Sequence, residues 1–150
     1  MSLEENKAIV RKFIEAWNGR NLDLMVNLMA VDYYDNYHNL KGSEEYRRFL
    51  TSLLKAFPDW HETIEDIVAE GDKVWYRFKA TATHTVEYRG YLPSTNRKVR
   101  VTPTGKKITL TGVVINRIVD GKIKEGWEVS NLLDNYEQLG IIEYKELPEG

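Results

Sequence analysis

The sequence predicts a single α+β domain in which three N-terminal helices pack on one face of a strongly curved antiparallel sheet and enclose one small-molecule pocket. Apolar residues recur at spacings of three and four as far as Phe57, and at a spacing of two after Trp60. Helices therefore come first and long strands follow, joined by tight turns such as Asp120-Gly121. At 150 residues the chain can bury one core without needing a second domain. The domain is expected over 4–142, with 143–150 as a C-terminal tail.

Helix one runs from Glu4 to Asn18, with Ile9, Val10, Phe13, Ile14 and Trp17 on its apolar stripe and Gly19 as its stop. Asn21 caps a shorter second helix carrying Leu22, Met25, Leu28 and Met29, which Val31-Asp32 interrupts. Tyr33, Tyr34 and Tyr37 suit a short strand. Gly42-Ser43 opens the third helix, whose Tyr46, Phe49, Leu50, Leu53, Leu54 and Phe57 repeat at helical spacing up to Pro58-Asp59.

In the first long strand Ile64, Asp66 and Val68 share a face, and Glu70-Gly71-Asp72 turns the chain. The next strand alternates most cleanly: Val74, Tyr76, Phe78, Ala80, Ala82 and His84 point one way, and a mostly polar set points the other. Strands from Lys107 to Val119 and from Lys122 to Val129 flank the Asp120-Gly121 turn, and Ser130 caps a last helix ending at Gly140. Arg89 to Lys107, rich in basic residues, Pro and Gly, reads as a long loop or small hairpin projecting from the sheet. Met1, Ser2, Leu3 and Glu149-Gly150 are read as vector-derived candidates and carry no argument.

A formal charge of -2 is too near neutral to draw phosphate backbones over the whole surface, which argues against nucleic acid. Without cysteine, disulfides, thiolate ligands and cysteine nucleophiles are excluded. No apolar run approaches the ~20 residues of a membrane span and no signal-peptide pattern opens the chain, so a cytoplasmic protein is expected. His38, His61 and His84 lie on different elements without ligand spacing, so no metal is expected, and no Gly-rich fingerprint supports a dinucleotide or other cofactor. Ser52-Leu53-Leu54-Lys55 and Thr104-Gly105-Lys106 are isolated matches to longer motifs and carry no chemistry.

Glu128 shares a strand face with Gly126 and Ser130. If that face lines the pocket, desolvation raises the carboxyl's pKa toward neutrality, where it can act as general base and then general acid. The plainer reading is a solvated strand glutamate paired with a lysine. Tyr76 and His84 could supply polar groups to the same cavity, and Tyr34, Asn36 and His38 could flank its mouth. For each of these the plainer reading is a satisfied polar group at the edge of a core. The basic residues Arg97, Lys98, Arg100, Lys106 and Lys107 could attract an anion, or form a solvated hairpin.

Several short stretches together resemble one family. They are Asn6-Lys7-Ala8-Ile9-Val10-Arg11 with Trp17-Asn18, Phe57-Pro58-Asp59, Glu65-Asp66-Ile67, Glu70-Gly71-Asp72-Lys73-Val74 and Ala80-Thr81-Ala82-Thr83-His84-Thr85. Further along come Pro103-Thr104-Gly105-Lys106-Lys107, Asp120-Gly121-Lys122-Ile123, Trp127-Glu128 and Leu139-Gly140. In this order they resemble the SnoaL-like polyketide cyclases and the ester cyclases grouped with them, within the nuclear transport factor 2-like fold.

The resemblance implies a cone-shaped α+β barrel with its pocket between sheet and helices. It also implies intramolecular aldol ring closure without cofactor or metal, with the carboxylate after the tryptophan of the last long strand, here Glu128, as acid/base. The chain departs from the family in having Gly126 where a histidine precedes that tryptophan, and glutamate for the usual aspartate. It is apolar at Val113 and Val114, where a second histidine is expected, and Tyr91 to Thr102 looks inserted.

The pocket is accordingly expected to be lined by Trp17, Tyr34, Asn36, His38, Trp60, Tyr76, His84, Val114, Asn116 and Gly126, with Glu128 catalytic. The enzyme reading is proton abstraction next to a carbonyl, leading to cyclisation, isomerisation or dehydration. The other is a binding protein of the same fold that takes a small ligand without catalysis. A homodimer is expected through the open sheet face that bears Trp75.

Overall fold

Ser2 caps the first helix: its hydroxyl accepts from the Glu5 backbone N–H at 3.1 Å, while the Glu5 carboxylate accepts from the Ser2 N–H at 2.6 Å. This reciprocal cap gives residues set aside in the sequence a structural part. In the computed structural model, which describes residues 1–93, 95, 97–142, 145 and 147–148, α1 spans Leu3–Asn18 and α2 Leu22–Asn27, capped by Asn21. The chain then extends as β1, Met29–Asp35, so Val31-Asp32 continues a strand and Tyr37 lies beyond its end. The short β2, Leu40–Lys41, leads into α3, Ser43–Ala56.

The long strands are β3, His61–Glu70; β4, Lys73–Thr83; β7, Lys107–Val119; and β8, Lys122–Ser130. Between β4 and β7 the basic segment folds back as a separate two-stranded sheet of β5, Tyr88–Tyr91, and β6, Lys98–Val101. The closing helix α4, Leu132–Gln138, is capped by Asn131 rather than Ser130, because the Ser130 hydroxyl is directed at Glu128. The expected tail, 143–150, lies largely outside the described residues.

The main sheet has the order β2-β1-β8-β7-β4-β3. It is antiparallel except where β1 runs parallel to β8, a pairing that a crossover must supply and that local turn signals do not announce. The sheet curves over the helices but leaves β2 and β3 as free edges, so the barrel expected from the resemblance is not closed. Alternation along β4 buries Val74, Tyr76, Phe78, Ala80 and Ala82 against Val10, Phe13, Ile14 and Trp17 of α1 and Leu50 of α3.

In β3 a bulge between Ile64 and Asp66 shifts the register. Glu62, Ile64, Ile67 and Ala69 therefore share partial burial, while Asp66 and Val68, expected beside Ile64, face solvent. No helix among the described residues is long and apolar enough to cross a membrane.

Candidate active site

The concave face of the sheet and helices α1 and α3 leave an inner cavity of about 80 Å³. Six of the expected residues line it: Trp17, Tyr76, Val114, Asn116, Gly126 and Glu128. Register explains the grouping, since Tyr76, Val114 and Glu128 stand opposite one another across β4, β7 and β8, with Asn116 facing Gly126 in the same way.

The Glu128 carboxylate accepts the Ser130 hydroxyl. Burial pushes its pKa up, and the nearby His38 charge and the hydroxyls of Ser130 and Tyr37 pull the other way. No salt bridge reaches Glu128 among the described residues, and the solvated lysine pair of the plainer reading is absent there.

Glu62 shares the cavity, and the sequence analysis did not single it out. Its Oε1 accepts the Trp60 indole N–H at 3.0 Å, and burial pushes its pKa up to about 7, with the Glu128 charge adding to the rise. One signal was available: Glu62 is two residues from Ile64, on the same face of the strand.

Tyr33 and Asp35 also line the cavity, because alternation along β1 turns them inward and Tyr34 outward. Tyr34 instead donates to Asn39 Oδ1 at 2.9 Å. A Cβ at position 126 would fall well inside contact distance of the Tyr33 hydroxyl and 3.3 Å from Asn116 Oδ1. Position 126 is therefore glycine for a steric reason: the Tyr33 phenol occupies its side-chain space. The hydroxyls of Tyr33, Tyr46 and Tyr76 face this cavity without a hydrogen-bond partner among the described residues, and burial holds all three well above the usual phenol range.

Asn36 and His38 lie in a separate outer cleft of about 550 Å³ between α3 and the β5–β6 hairpin. Phe49 lines both spaces. His38 Nδ1 sits 2.6 Å from Asp35 Oδ2, and its ring tilts against Phe49 with centroids 4.3 Å apart. Asn36 donates to Glu125 Oε1 at 3.1 Å and to the Gly126 carbonyl at 3.0 Å.

Trp60 stands behind the inner cavity, edge-on to Phe57, and reaches it only through the Glu62 bond. His84 is fully buried in neither space: its ring stacks on Phe57 at 4.9 Å, and Nδ1 accepts the Thr104 N–H at 3.4 Å. Trp60 and His84 thus stand outside the inner cavity, both in ring contact with Phe57. Arg97, Lys98 and Arg100 are exposed and line neither space, Arg100 pairing with Glu87 at 3.6 Å. Among the described residues no three His, Asp or Glu side chains gather as metal ligands.

A profile of the SnoaL-like polyketide cyclases matches residues 7–139. The chain is 29% identical over 147 residues to the aklanonic acid methyl ester cyclase DnrD of Streptomyces peucetius, covering 95% of this chain and 94% of the relative. DauD of Streptomyces sp. strain C5, of the same name, is also 29% identical, with 95% and 84% covered. Among solved structures AclR of Streptomyces galilaeus, for which a hydroxylase activity has been suggested, superposes with a TM-score of 0.77 at 31% identity, covering 95% of this chain and 89% of that one.

Proposed function

We propose, from the premise that this chain belongs to the SnoaL-like polyketide cyclase family, that it closes a ring in a carbonyl substrate by acid–base chemistry, with Glu128 as the base. The observation that supports this reading is a desolvated carboxyl, without a salt bridge among the described residues, facing a cavity lined by unpartnered phenols. Glu128 takes a proton from carbon next to a carbonyl, and the electron pair moves onto the carbonyl oxygen. Tyr76, Tyr33 and the Asn116 amide supply donors for that oxygen. Phenols whose ionisation is pushed up by burial stay protonated and donate throughout. These side chains suffice for the chemistry without a cofactor.

The inner cavity has room for the reacting end only, whereas the outer cleft has the volume typical of a ligand site. The body of the substrate therefore rests between α3 and the β5–β6 hairpin, passing the Phe49 ring that borders both spaces. Because DnrD and DauD are named for aklanonic acid methyl ester, that compound is the first to test. In D2O the protein should speed deuterium entry next to a carbonyl and convert the compound to a ring-closed isomer. Tight binding with no exchange would support the non-catalytic, ligand-binding reading instead.

A homodimer belongs to the same proposal. Val68, Trp75, Ile115 and Trp127 lie in register across β3, β4, β7 and β8, on the face opposite the cavity. Val68 is 58% and Trp75 44% exposed, which makes an apolar band that a second copy would cover. Light scattering at tens of micromolar should give twice the chain mass, and Trp75→Glu should halve it. A monomeric parent overturns the dimer.

A further inference from the structure

We infer that Glu62 is the second proton-transfer residue of the inner cavity, delivering the proton that ring closure requires at the oxygen of the attacked carbonyl. This rests on the reading of Glu128 as base. Glu62 is held from both ends. The Asn18 side chain donates to the Glu62 carbonyl at 2.8 Å and accepts from the Glu62 N–H at 2.9 Å, so the backbone cannot swing. At the other end Trp60 fixes Oε1, and Trp60 is itself locked by its edge-on contact with Phe57 and by Arg20, which donates to the Trp60 carbonyl at 2.6 Å.

The plainer role, an acceptor for an indole, needs one oxygen and no charge. It leaves unexplained a full carboxyl in an apolar wall with Phe13, Ile14 and Phe78, where no cation pairs with it among the described residues. The groups that face it are Glu128, Tyr76 and Tyr46.

The two carboxyls differ in what supports their charge. Glu128 has the Ser130 hydroxyl bonded to it and His38 nearby favouring its anion, whereas the donors to Glu62 are indole N–H groups alone. One cavity then holds two carboxyls whose surroundings favour opposite protonation states. The atoms balance. Glu128 takes the C–H proton, the enolate carbon bonds to the second carbonyl carbon, and the π pair of that carbonyl goes to its oxygen. That oxygen takes the proton from Glu62, and solvent returns the pair to its starting state. The product is an isomer of the substrate.

The test uses 2,6-heptanedione, a small diketone that can close by aldol addition, followed by NMR in D2O. The parent should both exchange α-deuterium and close the ring. Glu128→Gln should lose both, while Glu62→Gln should keep exchange and lose closure by about 10²–10⁴-fold. Glu62→Gln closing at the parent rate, or losing exchange and closure equally, overturns the assignment.

A parent that neither exchanges nor closes would count against Glu128 as base, and Glu62 is then decided without turnover. A ¹³C-labelled Glu62 carboxyl should titrate near pH 7, and lower in Glu128→Gln, where the neighbouring charge is gone. A midpoint in the ordinary carboxylate range overturns the inference.

Discussion

Glu128→Gln is expected to be at least as stable as the parent at pH 7, and to lose about 10²–10⁴-fold of any proton-transfer activity the parent shows. Burial is the largest influence on this carboxyl, and it raises the pKa despite opposing help from His38, Ser130 and Tyr37. Above the unfolded value of about 4.3 the unfolded chain has released a proton that the native chain still holds. This group's contribution to stability is thus fully present below that value and is lost as pH rises through the folded pKa.

Glutamine keeps the shape and can still accept from Ser130, but carries no charge to desolvate. The advantage of the variant should therefore be largest near pH 7 and shrink toward pH 4 in denaturant melts run at several pH values. A loss exceeding about 2 kcal/mol at pH 7 would mark a structural anion, and the assignment of Glu128 as base would go with it.

Gly126→Ala should destabilise the protein by about 1–3 kcal/mol, because the new Cβ enters the space of a rigid, buried phenol. Tyr33 is 6% exposed and packs edge-on against Tyr46 at 5.3 Å, so its ring has little room to retreat. Without the hydroxyl, the nearest atom of that ring to the added Cβ is 3.4 Å away, an ordinary contact. The double variant Tyr33→Phe/Gly126→Ala should therefore recover at least half of the loss, measured as a double-mutant cycle in urea. Strictly additive losses would show that something other than the Tyr33 hydroxyl fills position 126. The cycle also bears on the missing family histidine: a larger side chain at 126 requires the phenol to leave first.

Residues interacting within a few positions were legible before folding was considered. The stripe of α3, the Asn21 cap, the alternation of β4 and the β7–β8 hairpin follow from spacing and turn chemistry, and the structure has each of them. Glu128 was legible for the same reason, being on one strand face with Gly126. Errors began where a local rule met a non-local partner. Ser130 has the chemistry of a helix cap, but its hydroxyl was taken by Glu128. Tyr34 has the chemistry of a pocket residue, but pairing of β1 with β8 turned Tyr33 inward instead.

By itself, then, the sequence determined the order of the main helices and long strands and the apolar faces of α1, α3 and β4, since these depend on backbone sterics and on periods of 2 and 3.6 residues. It also determined a family whose fold those elements build. Only the tertiary structure decided that Glu62 and Glu128, far apart in the chain, face one small cavity, that His84 stacks on Phe57 outside it, and that the space above Gly126 is filled by Tyr33. Pairing of β3 with β4 and of β8 with β7 and β1 sets the strand positions among these. The free energy of these pairings comes from the burial of the assembled core, so no local window of the sequence contains it.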